Sequence, residues 1–126
     1  MTEITAVDRD VEIQVVNSTT IRYVGNGVDA NGDVHVLPGY QLRFRCTRPF
    51  ALFIKKYLTA GNDPTPFDDD GSVYCPKGNS IEVTPKVKSS GHGNGHVSSG
   101  DKYSFGVAWL NADGIIQLHD PRILID

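Results

Sequence analysis

The chain is poor in the residues that most often announce a chemistry. Among 126 residues there are two cysteines, one methionine and one tryptophan. Neither Cys46 nor Cys75 belongs to a Cys-x-x-Cys pair or has a histidine within a few residues, which removes the spacing of a zinc or dithiol redox site. Their plain reading is two small, buried apolar side chains in a reducing compartment. The methionine is Met1, and no cysteine is followed closely by histidine, so a blue-copper ligand set is missing. A basic excess is missing too. Twelve Lys and Arg against fifteen Asp and Glu leave a net charge of −3, the wrong sign for a surface that must neutralise phosphates, so nucleic acid is not an expected partner. No stretch approaches the length of apolar sequence that a membrane-spanning helix needs. The opening MTEITAVDRDVEIQVV has acids where an export signal has Lys or Arg, and the expected location is the cytoplasm. Gly-x-Ser-x-Gly, His-Glu-x-x-His and a phosphate-cradling glycine loop are all absent, so an enzyme is not expected.

What remains describes one β-rich domain spanning 1–126. A chain of this size can bury about two thirds of its surface on folding, enough for an independent core. Thirteen glycines and seven prolines imply many turns. Apolar residues alternate at period two: Val11, Ile13 and Val15 around Glu12 and Gln14; Ile21 and Tyr23 around Arg22; Val34 and Val36 around His35; Leu42, Phe44 and Cys46 around Arg43 and Arg45. Each pattern is a strand with one wet face. The apolar run Phe50 to Ile54 and shorter candidates at Val73 to Cys75 and Ile81 to Thr84 follow. Tyr103, Phe105, Val107 and Trp109 then share one face of the best strand, opposite Ser104, Gly106 and Ala108. That large-residue face reads as core, with Trp109 as a core residue and not a sugar platform. Asn111-Ala112-Asp113-Gly114 is a hairpin turn, and Pro121, which has no N–H to donate, should mark a strand start or a bulge. The fold expected is all-β: a single-domain antiparallel β-sandwich, Ig-like or jelly-roll-like, of about eight or nine strands.

Function then has two long loops to occupy, Thr59 to Gly71 and Ser89 to Gly100. Asp68, Asp69 and Asp70, with Asp63 upstream, are candidate ligands for a hard cation such as Ca²⁺ or for sugar hydroxyls. Another use is docking onto the basic stretch Arg43, Arg45, Arg48, Lys55 and Lys56. His92 and His96 are weaker candidates for a transition metal, since a glycine-rich loop does not place residues four apart on one face. Asp29, Asn31 and Asp33 copy the first alternating ligands of an EF-hand, but Val34 stands where glycine is required and Tyr40 where glutamate is. A polar hairpin tip is the better reading. His35 and His119 read as solvent-facing strand residues. No cofactor is expected beyond that calcium option.

Two segments go further. Gly39-x-x-Leu42-Arg43-Phe44-Arg45, continued by Phe53-Ile54-Lys55-Lys56-Tyr57, and Tyr103-x-Phe105 with Asn111-x-Asp113-Gly114, Gln117 and Asp120-Pro121-x-Ile123-x-Ile125, resemble the central strand pair and the end of the bacterial inclusion-body protein family (PixA/AidA-like). The resemblance implies a β-sandwich without known catalytic residues, associated with intracellular protein inclusions and with quorum-regulated or host-associated bacterial physiology. It supplies no site residues to carry over. The function expected is therefore a non-enzymatic, self-associating or ligand-binding sandwich of a bacterial cytoplasm, with a homo-oligomer or a protein or glycan partner. The alternative is a lectin-like carbohydrate-binding module, calcium-dependent through the aspartate loop.

Overall fold

A computed structural model of the chain describes residues 7–57, 65–69, 71–92 and 95–126. Among them there is no helix, so none is long and apolar enough to cross a membrane. The strands in chain order are β1 (Arg9–Asn17), β2 (Thr20–Val24), β3 (Val34–Val36), β4 (Leu42–Cys46), β5 (Phe50–Tyr57), β6 (Val73–Tyr74), β7 (Glu82–Val83), β8 (Ser89–Ser90), β9 (His96–Val97), β10 (Lys102–Leu110), β11 (Ile116–His119) and β12 (Arg122–Ile125). One sheet runs β2-β1-β4-β7, a second runs β3-β12-β10-β5-β6 with β11 also on β10, and β8 pairs β9 alone. The count exceeds the eight or nine expected, in part because the glycine- and serine-rich loop at 89–100 contains β8 and β9, each only two residues long.

Antiparallel pairing throughout was the expectation, and it is corrected at three places. β1 lies parallel to β4, β12 parallel to β3, and β8 parallel to β9. The cause for the first is the path of the chain. A hairpin forces its strands to run oppositely, but between β2 and β4 the chain visits the other sheet as β3, and a strand that re-enters a sheet from outside can run either way. The short run Val34 to Val36 is thereby paired with Ile123 to Ile125, from the far end of the sequence.

The alternation read from the sequence is realised side chain by side chain. Val11, Ile13, Leu42, Phe44 and Cys46 from the first sheet are buried in one cluster with Leu52, Tyr103, Phe105, Val107, Trp109, Ile123 and Ile125 from the second. Phe105 joins the two sets, its ring edge-on to Phe44 at 5.6 Å and to Tyr23 at 6.3 Å between centroids. Aromatic pairs at these distances and tilts favour this arrangement. The other cysteine departs from expectation: Cys75 is exposed, because β6 ends at Tyr74 and Cys75 begins the turn through Pro76.

The hairpin after β10 forms as its residues require. Asn111, only 2% exposed, accepts hydrogen bonds at Oδ1 from the amides of Asp113 (3.0 Å) and Ile115 (2.9 Å). Its Nδ2 donates to the carbonyl of Ser18 at 2.8 Å, tying this turn to the one between β1 and β2. Gly114 closes the turn at φ +77°, a conformation that costs glycine least. Beyond the turn, β11 and then β12 occupy the same edge of β10, against Val107–Leu110 and Lys102–Ser104 respectively. Pro121 interrupts that lane, and its carbonyl accepts from Phe105 N at 3.1 Å.

Phe105 is fully buried and contacts aromatic rings from two other strands, so Phe105→Ala leaves a cavity the neighbours cannot fill. The expected loss is about 3 to 5 kcal/mol, read as a lowered urea midpoint at unchanged slope. A loss under about 1 kcal/mol would show that the two sets of core residues do not meet on this ring.

Candidate interaction surface

The outward faces of the two sheets differ in kind. On the first, the residues between the buried positions are charged, and the register places opposite signs side by side: Asp10 against Arg43, Glu12 against Arg45, and Arg45 against Glu82. Arg43 reaches Asp10 at 2.9 Å and Glu82 at 3.4 Å, while Arg45 reaches Asp10 at 3.2 Å and Glu12 at 3.1 Å. Hydrogen bonding from Arg43 holds the Asp10 carboxyl below its ordinary range, partly opposed by desolvation. Arg22 extends the lattice through Gln14 at 2.7 Å. These pairs are partly exposed and contribute little each, but together they leave most of this face polar and neutral, with Val24 of β2 exposed opposite Glu12. Arg48 donates to the carbonyls of Leu110 and Asn111. Arg43, Arg45 and Arg48 thus have partners among the acids and carbonyls of their own neighbourhood, and among the described residues neither Asp68 nor Asp69 pairs with them.

The second sheet's outward face is apolar in its part from β11 across the C-terminal half of β10 to β6, while the part at β12 and β3 carries Arg122 and His35. On β10 it consists of Ser104, Gly106, Ala108 and Leu110, opposite the buried row. Across the register, Ala51 of β5 faces Ala108, Phe53 faces Gly106, and Val73 of β6 faces Phe53. The Phe53 ring covers the backbone of Gly106 directly, and a side chain at this position would have to displace that ring. On the other edge of β10, Leu118 faces Ala108 and Ile116 faces Leu110. Ile116 is 67% exposed, Leu118 70% and Val73 62%. Exposed branched apolar residues thus stand at both margins of this part of the sheet face, with small residues between.

β11 makes this surface an edge as well as a face. Among the described residues it pairs with β10 alone. Its inward residues are the polar ones: Gln117 lies opposite Trp109 and His119 opposite Val107. His119 Nδ1 is 2.9 Å from Tyr23 Oη, and the two rings are 5.3 Å apart, so this histidine closes the gap between β2 and β11 while remaining exposed. Burial pushes the Tyr23 hydroxyl well above the ordinary tyrosine range. Lysine, proline and acidic residues, the usual guards of an edge strand, do not occur within Ile116–His119.

The candidate ligands from the sequence are dispersed. Asp63 and Asp70 lie outside the described residues. Asp69 accepts from the Tyr74 hydroxyl and the Gly71 amide, which hold its carboxyl below the ordinary range. It stands at the rim of a groove of about 490 Å³ with Tyr74, Cys75, Lys77 and Glu82. Asp68 faces another depression, beside Lys86, Lys88 and Ser89. His92 is exposed, and His96 Nδ1 sits 3.3 Å from Ser89 Oγ. Among the described residues no three His, Cys, Asp or Glu side chains are grouped to hold a metal ion. Asp29, Asn31 and Asp33 form the expected polar tip, in which Asp29 Oδ1 accepts from the amides of Asn31 and Asp33. Asp33 is buried and paired to Arg122 at 2.6 Å.

One polar cluster escaped the reading of the sequence. His35 is half-buried and not simply solvent-facing: Nε2 meets Asp29 at 2.9 Å and Nδ1 meets Asp126 at 2.9 Å. Two carboxylates, Asp126 foremost, raise the His35 pKa above 6.5 against a smaller effect of burial. No known protein-family model, curated protein or solved structure matches the chain.

The His35 cluster sets a sign for pH dependence. Because the folded pKa is raised, the stabilisation is fully present below the unfolded value near 6.5 and is lost as pH rises through the folded value. Thermal melting between pH 5.5 and 8.5 is expected to show Tm falling over this window in the parent and a flatter profile in His35→Gln. Parallel profiles would remove His35 as the source.

Proposed function

We propose that the protein is a non-enzymatic, two-sheet β-sandwich that works by self-association, with β11 and the apolar outward face of β10, β5 and β6 as its working surface. The single observation that carries the reading is the exposure of Ile116 and Leu118, at 67% and 70%, on an edge strand without guarding charges. Support also comes from the contrast with the other sheet, whose outward face is laced with ion pairs. Burial of an apolar side chain is favourable by about 1.5 to 3 kcal/mol, so a protein that presents several to water gains by covering them. A cytoplasmic role in protein inclusions, as the resemblance to the inclusion-body family implies, is the setting we propose for this association.

The test is mass against concentration. The parent protein is expected to grow beyond the monomer in light scattering as concentration rises, and Leu118→Lys to move that rise at least about tenfold upward in concentration, since about 1.4 kcal/mol is a factor of ten. Leu118 makes its contribution outside the core, so the variant's Tm should stay near the parent's. A parent that remains monomeric, with a Tm that climbs on adding Ca²⁺ or a glycan, would replace self-association by lectin-like binding at the loop carrying Asp68 and Asp69.

A further inference from the structure

We infer that two copies of the chain pair antiparallel along β11, with the two-fold axis at Gln117, so that Ile116 of one copy lies opposite Leu118 of the other. The inference rests on the self-association proposed above and specifies its partner and register. It begins with which backbone groups are committed. Asn111 N donates to Ile115 O at 3.0 Å, continuous with the register Leu110–Ile116 through Val107–His119. Antiparallel pairs alternate between hydrogen-bonded and non-bonded. Residues 111 and 115 form a bonded pair, hence so do Trp109 and Gln117, and the amide and carbonyl of Gln117 face β10. Those of Ile116 and Leu118 face the open side, where no described residue receives them.

Those four groups choose the register. In a two-fold pair through Gln117, Ile116 and Leu118 of one copy exchange both bonds with Leu118 and Ile116 of the other, giving four hydrogen bonds with none left over. Centring the axis on Ile116 would set Leu118 against Gly114, which sits in the turn at φ +77° with its amide given to Asn111. Centring it on Leu118 would set Ile116 against Asp120, where Pro121 ends the lane. Registers shifted by one residue oppose outward groups to inward ones and turn one copy's apolar face over. The axis at Gln117 keeps Ile116 and Leu118 of both copies on one outward face, continuous with Ala108 and Leu110.

The two Gln117 side chains meet as neutral amides that can both donate and accept. Three paired residues on each side, Ile116 to Leu118, span about 10 Å, and with a sheet about 10 Å thick the contact is smaller than the roughly 1,200 Å² of a stable complex, so the dimer is a weak one.

Disulfide trapping tests the register. In a Cys75→Ser background, which removes the exposed native thiol, Gln117→Cys places two thiols at a non-bonded pair with Cα atoms about 4.5 Å apart, within disulfide reach. Under mild oxidation it is expected to form covalent dimer at least about tenfold faster than Ile116→Cys or Leu118→Cys alone, whose like residues lie about 8 Å apart. Mixing Ile116→Cys with Leu118→Cys should yield the mixed dimer. Equal rates for the three single variants and no mixed product would overturn the register, while leaving self-association standing if parent mass still rises with concentration and Leu118→Lys suppresses it. A parent that stays monomeric and variants that do not cross-link would remove both.

Discussion

The inward row of β10 is the surface on which the rest of the molecule is assembled. Tyr103, Phe105, Val107 and Trp109 are all buried, and β10 is the strand that β5, β11 and β12 all use as a partner. Both its edges are therefore taken up within the chain, and one face is covered by the side chains of the first sheet. β5 and β4, each paired along both edges, also bury their alternate residues. β6 and β11 lie at the margins of the second sheet, where no described residue pairs with their outer edge, and they carry exposed branched side chains.

The two outward faces show how one alternating pattern can serve different ends. In β1 and β4 the outward positions hold Asp10, Glu12, Arg43 and Arg45, and their charges cross-pair in the register that the buried residues dictate. In β10 and β5 the outward positions hold glycine, alanine and phenylalanine, which pack on one another. A cross-strand ion pair at a half-exposed site contributes little to stability. Under the proposed self-association its larger effect would be to disfavour a second copy on that face, since docking there would strip water from several charges without new partners.

Much of this architecture is legible in the sequence alone. Period-two alternation identified most of the longer strands, the size of Tyr103, Phe105, Val107 and Trp109 identified the core row, and Asn111 to Gly114 identified the hairpin. Parallel pairing was not legible, because alternation reports which face a residue takes and nothing about strand direction. The His35 cluster was hidden for a related reason: Asp29 and Asp126 reach it through a turn and through the β3–β12 pairing. The β11 surface could have been read by counting. With Trp109 inward and a short turn following, Gln117 falls opposite it, so Ile116 and Leu118 must point outward. The aspartate and histidine loops drew attention by composition, and composition alone does not say that Asp68 and Asp69 look into separate depressions.

The parallel lane between β3 and β12 has a consequence for how the molecule comes into being. During synthesis the N-terminal sequence emerges first, and β1, β2 and β4 can find one another while the rest of the chain is still being made. β3 cannot. Its sheet partner is Ile123 to Ile125, so Val34 and Val36, bridged locally only through Val28 and Gly27, wait for about ninety further residues to be made before that partner emerges. Pairings this distant in sequence also close slowly. The nascent chain therefore carries β3 without its sheet partner until Ile123 to Ile125 have been made.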